Sequence, residues 1–400
     1  MTLIDKLENG TRLNYEDGVK LFDLDVLTLG DYANKIRVAK HQKKTYFNIN
    51  RHINPTNICK DVCQFCAYSA SRKNPDQYTL SHEEILETVK NSSKNGIKEV
   101  HIVSAHNPHT GLEWYMDIFK KIKKDFPNIH IKALTAAEIH FLSTQYNLSY
   151  EELIDTMIKS GVDSMPGGGA EIFDEKVRKR ICGGKVSSEQ WLEIHKLWHK
   201  KKKKSNATML FGHIETREHR VDHILRLRDL QDITGGFNAF IPLVFQTENN
   251  YLKVKEPVTA NEILKTYSVS RILLDNISNI KAYWATSTVK LALIAQEFGA
   301  NDVDGTIEKE SIQSAAGAKS KHGVAQNEFV DLIKNSGAIE NSSVKRKKLA
   351  FFCILFYNFK CLIQNYKFNI ERSKFFLVPK WIQFYAICIL YLKRHKGYSL

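Results

Sequence analysis

Short apolar or alternating runs recur along this chain with an amphipathic stretch after each, eight times over, and this alternation restricts the fold more than any other feature. The strand candidates are 46–53, 99–103, 130–134, 162–165, 207–211, 239–244, 281–285 and 300–303. The helix-like segments cover 81–95, 113–124, 150–160, 189–203, 218–232, 259–274, 286–298 and 326–335. The first opens with Ser81 and has Glu84 three positions on, a capping-box spacing. Strands separated by helices build a parallel sheet. Eight repeats favour an α/β chain closed as a (β/α)8 barrel of the TIM type over an open doubly wound sheet. Residues 13–40 read as two helices, which gives an N-terminal helical extension over 1–44 and a barrel over 45–337.

Beyond 337 the material changes. Residues 341–400 hold 12 Lys and Arg against the single Glu371, and 14 of the chain's 42 aromatic residues, with no clean helical or strand period. The segment 338–400 is therefore set apart as a basic, aromatic tail outside the catalytic fold. It also explains the net charge of +14, because the first 340 residues carry 46 Lys and Arg against 43 Asp and Glu. A nearly neutral body gives no support to a nucleic-acid binder, whose affinity would rest on clustered cations. Nothing in that body approaches the roughly 18 uninterrupted apolar positions of a membrane span. The apolar run 375–392 in the tail is long enough to raise the question, but Pro379 and Lys380 interrupt it. The N-terminus lacks the basic-then-apolar layout of an export signal, and seven cysteines in 400 residues do not form an extracellular disulfide framework. A reducing cytoplasm fits these features.

In a barrel of this kind the chemistry sits in the loops that follow the strands. The polar and glycine-rich segments fall there: HINPTNICKDVCQFC (52–66), SAHNPHTG (104–111), PGGGAE (166–171), FGHIETREH (211–219) and FQTENN (245–250). The run Lys200 to Lys204 reads instead as a solvated helix end. The sharpest motif is Cys59-x3-Cys63-x2-Cys66, with Phe65 before the last cysteine. A closed zinc site needs a fourth ligand at comparable spacing, and none stands nearby, since Cys182 is over a hundred residues away. Three thiolates suit a 4Fe–4S cluster that keeps one iron open, whereas an electron carrier ties down all four. Zinc and unliganded buried thiols remain the competing readings, and Cys182 reads as a small inert residue.

The cysteine motif resembles the signature of the radical S-adenosylmethionine enzymes. NPTNICKDVCQFCAY (54–68), SMPGGGAEIFDEKVRKRICGGK (164–185), ATMLFGHIETREHRVDHILRLRDLQD (207–232) and FIPLVFQTENN (240–250) resemble, within that superfamily, the aminofutalosine synthases of the futalosine route to menaquinone. The resemblance covers about residues 10 to 337 and implies a 4Fe–4S cluster on Cys59, Cys63 and Cys66. In that family S-adenosylmethionine is a co-substrate: its adenosyl radical adds to the vinyl carbon of 3-[(1-carboxyvinyl)oxy]benzoate, and loss of hydrogencarbonate gives 6-amino-6-deoxyfutalosine and methionine. A low-potential electron donor such as flavodoxin or ferredoxin is implied as partner. Two alternatives stay open. One is a dehypoxanthine futalosine cyclase, in which the radical abstracts hydrogen; the other is an iron–sulfur or zinc module without catalysis.

Other residues carry weaker expectations. Gly167, Gly168 and Gly169 let backbone approach a ligand or form a tight turn, and a place against S-adenosylmethionine is expected of them. Glu171 is read as an acceptor for ribose hydroxyls or as a helix cap. Ser104 stands where superfamily relatives meet the methionine amino group, while His106 is as readily a surface histidine. Gln246, with Thr247 and Asn249, is read as an adenine or ribose contact or as a loop cap. A substrate with two carboxylates asks for cations, and His213, Arg217 and Arg180 are the candidates, with Arg178 and Lys185 beside them. Beyond the cluster cysteines no catalytic residue is assigned. Tyr283 and Trp284 are expected to alternate faces in the seventh strand.

Overall fold

The computed structural model describes residues 1–70 and 76–342; the expectations for the tail from 343 onward, the 375–392 segment included, fall outside the described residues. The N-terminal extension forms α1 (Leu3–Glu8), α2 (Tyr15–Leu21) and α3 (Val26–His41). Each starts where a side chain satisfies orphan backbone N–H groups: Thr2, Asn14 and Asp25. The extension is tied down from the far side of the sequence, where Arg228 donates to the Leu13 carbonyl and Lys265 to that of Phe22.

Two strands then follow with only Ile49 between them, β1 (Lys44–Asn48) and β2 (Asn50–Ile53). The chain continues through α4 (His82–Lys94), β3 (Glu99–Ile102), α5 (Leu112–Asp125), β4 (His130–Ala133), α6 (Ala136–Tyr146), α7 (Tyr150–Lys159) and β5 (Ser164–Met165). Next come α8 (Glu175–Cys182), α9 (Ser188–Lys200), β6 (Lys204–Phe211), α10 (Arg217–Thr234), β7 (Phe237–Val244), α11 (Ala260–Leu273) and β8 (Asn279–Ile280). The described part ends with α12 (Trp284–Ser287), α13 (Val289–Ile294), a 3-10 turn (Ala295–Phe298), β9 (Asp302–Gly305), α14 (Ile312–Ala315), α15 (Gln326–Asn335) and β10 (Ile339–Ser342).

Strands β2 to β8 form one parallel sheet in chain order, while β1 lies between β9 and β10 in a second, three-stranded sheet. The segment from β9 to Ile307 bridges the two edges of the large sheet. On one side the Ala282 N–H donates to the Asp302 carbonyl, and on the other the His52 N–H donates to the carbonyl of Ile307. Seven strands therefore curl as a half-barrel, and the expected eighth strand, near 300–303, spans the opening. Every connection between parallel neighbours needs a crossover, which the helices provide on the outer face.

The differences from expectation have local causes. Helix α6 was not foreseen because it is buried on nearly every side, from Ala136, Ala137 and Ile139 to Phe141 and Leu142, and so shows no one-sided period. The seventh strand is short, Asn279–Ile280, and its pairing runs on only through Lys281, which bonds the Phe240 carbonyl and bridges Asp302, and Ala282, which bonds the Asp302 carbonyl, so it begins before and ends within the anticipated 281–285. Tyr283 and Trp284 consequently lie at the start of α12 and not in a strand; Trp284 is buried and donates its indole N–H to the Gly305 carbonyl. The helix expected over 286–298 is broken at Thr288, where φ is +79°. Past 337, the backbone of β10 pairs in parallel along β1, so regular pairing extends to residue 342.

Candidate active site

The cysteine motif occupies the loop that follows β2, and other segments of the chain hold it by its backbone. Lys60 N–H donates to His106, Gln64 N–H to Ile181, and Tyr251 N–H to Gln64. The three thiols are unbonded to one another and all line one cavity of about 290 Å³ within the curl of the sheet. Burial pushes the Cys59 and Cys63 thiols above their ordinary pKa; backbone N–H groups partly offset this at Cys59, and Lys185 does so at Cys63. Three thiols converging on one cavity are the donor set a metal cluster requires.

Ser104, Gly167, Gly168, Gly169, Glu171 and Gln246 all line this same cavity. Ser104 is held twice: its N–H donates to Glu138 at 2.8 Å, and its hydroxyl accepts from Tyr115 at 2.9 Å. Glu138 also takes the Thr135 N–H in the capping box of α6, so one buried carboxylate joins the loops after β3 and β4. The glycines are required by the protein itself. A Cβ on Gly167 would stand 2.8 Å from backbone atoms of Asn206, Ala207 and Thr208, and one on Gly169, at φ +87°, 2.7 Å from Ala137. Their carbonyls are engaged by Thr208, Trp191 and Arg178 respectively, which leaves the N–H side of this loop for a ligand. Arg178 spends its other terminal N–H groups on Ala170, Ile172 and Val186, so it braces the loop from behind and is not a carboxylate receptor.

Glu171, at φ +45°, meets Lys185 at 2.9 Å inside the cavity wall. Burial works against the Lys185 ammonium, but Glu171 and the thiols of Cys63 and Cys182 outweigh it and hold its pKa well above the usual value. The Lys185 ammonium also stands over the ring of Phe65 at 5.3 Å. Cys182, remote in sequence, lies close enough to Cys63 to oppose the ionisation of its thiol. Gln246 spends its amide N–H groups on the carbonyls of Val244 and Thr286, leaving its oxygen for the cavity.

The three proposed substrate cations are placed elsewhere. His213 is buried between Glu215, at 3.0 Å, and the Leu210 carbonyl. Arg217 pairs with Glu262 at 2.8 Å and packs over Phe22, while Arg180 is exposed on α8. None of the three lines the cavity. His106 is not a surface residue: it is buried, stacks on Phe141 at 5.0 Å, and brings Nδ1 to 2.7 Å from Asp61. Asp61 Oδ2 has no other partner among the described residues.

Most residues on the inner side of the strands belong to no motif. His52 on β2 and His101 on β3, side by side in register, line the cavity with Tyr283 and Asp304, and so do Leu210, Ile241, Leu243 and Phe245 on the opposite wall. Below them Lys132 pairs with Glu99 at 2.7 Å and Lys281 with Asp304 at 2.8 Å. The available signal was alternation: in Glu99-Val100-His101-Ile102 the polar residues fall on one face, toward the inside of the curl.

The radical SAM superfamily model matches residues 53–227, and a model of the CofH/MqnC C-terminal region matches 234–349. An aminodeoxyfutalosine synthase of Thermus thermophilus is 42% identical over 342 residues, which cover 84% of this chain and 92% of that relative. A cyclic dehypoxanthine futalosine synthase of Halalkalibacterium halodurans is 35% identical over 339 residues, covering 84% and 91%. Among solved structures, methylornithine synthase (PylB) superposes with a TM-score of 0.70 over 87% of this chain and 99% of its own, at 16% identity, and so shares the fold.

Proposed function

The chain belongs to the radical SAM superfamily, and on that premise we propose that this enzyme transfers the adenosyl group of S-adenosylmethionine to 3-[(1-carboxyvinyl)oxy]benzoate, forming 6-amino-6-deoxyfutalosine for menaquinone synthesis. The observation that carries this reading is the 42% identity to an aminodeoxyfutalosine synthase along nearly the full length of that relative. The cavity supports it with three converging cysteines on one side and an apolar wall on the other.

In this reading Cys59, Cys63 and Cys66 hold a 4Fe–4S cluster. The chemistry such a cluster supplies when bound is one-electron reduction of the sulfonium of S-adenosylmethionine. Ser104, the N–H side of Gly167 to Gly169, Glu171 and the free oxygen of Gln246 hold S-adenosylmethionine. Lys185 supplies the positive charge for a carboxylate that had been expected of Arg180. Leu210, Ile241, Leu243 and Phe245 form the slot for the aromatic ring and keep water away from the reacting carbons. A low-potential donor such as flavodoxin or ferredoxin and a cytoplasmic setting complete the proposal; among the described residues no helix is long and apolar enough to cross a membrane.

The 35% identity to a cyclic dehypoxanthine futalosine synthase favours a second reading, in which hydrogen is abstracted and no adduct forms. Anaerobic incubation of the reconstituted enzyme with S-adenosylmethionine, reductant and the enol-ether benzoate, followed by mass spectrometry, separates the two. An adduct that retains the adenosyl carbons supports the first reading. No adduct from that substrate, together with 5′-deoxyadenosine released from S-adenosylmethionine when dehypoxanthine futalosine is supplied instead as the hydrogen donor, replaces it with the second.

A further inference from the structure

The inner end of the cavity holds a pair of histidines whose tautomers are fixed by their surroundings. Asn50 orients its amide by accepting the Ile307 N–H on Oδ1 at 2.9 Å, and this turns its Nδ2 toward His52 Nε2, at 3.5 Å. Gly305 makes that orientation possible, because a Cβ there would stand 2.3 Å from Asn50 Oδ1. His101 approaches the same His52 nitrogen with Nδ1, at 3.2 Å. Its other nitrogen, Nε2, is buried and unpartnered among the described residues. An orphaned buried N–H is rarer in folded proteins than an orphaned acceptor, so the His101 proton belongs on Nδ1, where it has an acceptor. Both neighbours therefore donate to His52 Nε2. The proton of a neutral His52 is then on Nδ1, the nitrogen that bonds nothing among the described residues, on a side chain that lines the cavity.

We infer that His52 is the specificity-determining residue for the carboxylate on the substrate's aromatic ring, which it receives through Nδ1–H. This rests on the adenosyl-transfer reading above. In that reading the enol-ether carbon must face the cysteine loop, so the ring carboxylate at the other end of the substrate points deeper into the curl, toward β2 and β3. The surroundings suit an aryl carboxylate. The Tyr283 ring lies nearly parallel to His52 at 6.5 Å and 22°, and Ile241 and Leu243 line the same cavity. The nearby cations, Lys132 and Lys281, are already committed to Glu99 and Asp304, which leaves neutral donors at this end, the imidazole N–H and the Tyr283 hydroxyl, of which the imidazole is the one its neighbours orient. A hydrogen bond from a neutral donor to a carboxylate is charge-assisted and discriminates strongly against a ligand that lacks the acceptor.

The test compares the benzoate with its phenoxy analogue, 2-phenoxyacrylate, which lacks only the ring carboxylate, in wild-type enzyme, His52→Asn and His52→Gln. An asparagine amide can place N–H where Nδ1–H stood; a glutamine amide reaches the Nε2 position instead. Wild type should prefer the benzoate by about 10- to 100-fold in kcat/KM, the effect of one hydrogen bond to a charged group. His52→Asn should keep most of that preference and His52→Gln should lose it, with iron content and S-adenosylmethionine affinity unchanged in both. Equal preference in the two variants, or a wild type indifferent to the carboxylate, overturns the assignment of His52. Failure of the wild type to form any adduct from the benzoate overturns the functional reading itself. If neither variant incorporates iron, indifference of the wild type to the ring carboxylate still overturns the assignment.

Discussion

Lys185 and Glu171 meet at 2.9 Å in the wall of the cavity, across thirteen intervening residues that include the whole of α8, with their side chains only 17% and 9% exposed. The pair places a cation beside Cys63 and a carboxylate at the end of the glycine loop, and each charge is tolerated there because of the other.

Replacing Lys185 by Met should therefore cost about 3 kcal/mol of stability, because it leaves Glu171 buried and unpaired. Adding Glu171→Gln should recover much of that loss. Urea denaturation of the two variants checks the coupling, and equal stability of the single and double variants would contradict it.

Cys59→Ala, Cys63→Ala and Cys66→Ala should each abolish turnover and lower the iron bound after anaerobic reconstitution. Cys182→Ala should bind iron as wild type does, since Cys182 lies beside the motif but does not line the cavity. Full activity in any of the first three variants would remove the cluster assignment.

Gly167→Ala should lower stability by more than about 2 kcal/mol, because its methyl group would meet the backbone of β6 at 2.8 Å, and a paired strand cannot retreat. Gly184→Ala, whose Cβ would lie an ordinary 3.7 Å from Asp61, should change stability by less than about 0.5 kcal/mol. Thermal melts of both proteins give the comparison.

Arg217→Ala should leave KM for the substrate within about threefold of wild type and cost no more than about 1 kcal/mol, since the Arg217–Glu262 pair is partly exposed and outside the cavity. A large rise in KM would return Arg217 to the substrate site.

Stability should fall as the pH drops from about 6.5 toward 5. Burial lowers the His199 pKa to about 4, and it lowers those of His195 and His223 well below the usual histidine value. The unfolded chain then binds protons that the folded chain refuses, so stability is present above the unfolded pKa and is lost below it. His199→Gln should remove up to about 1.4 kcal/mol per pH unit from the slope across that window. An unchanged slope in urea titrations at pH 6.5 and 5 would show that His199 is not held neutral.

Much of this protein is written locally. The spacing of Cys59, Cys63 and Cys66 defines the donor set, and the alternation of apolar runs defines the parallel sheet. Ser81 with Glu84 marks the start of α4 where it is found. These features persist because each depends on neighbours within a few residues, where side-chain periodicity and capping chemistry act directly.

Long-range packing selects which charged residues face the cavity and which are spent on one another. His213, Arg217 and Arg178 carry the chemistry a dianionic substrate needs, yet Glu215, Glu262 and a set of backbone carbonyls claim them. His52 and His101, unremarkable in sequence and 49 residues apart, face each other because β2 and β3 pair in register. A side chain's partners are set by strand register and by which strand lies next to which, and those long-range pairings leave no trace in the residues immediately around it.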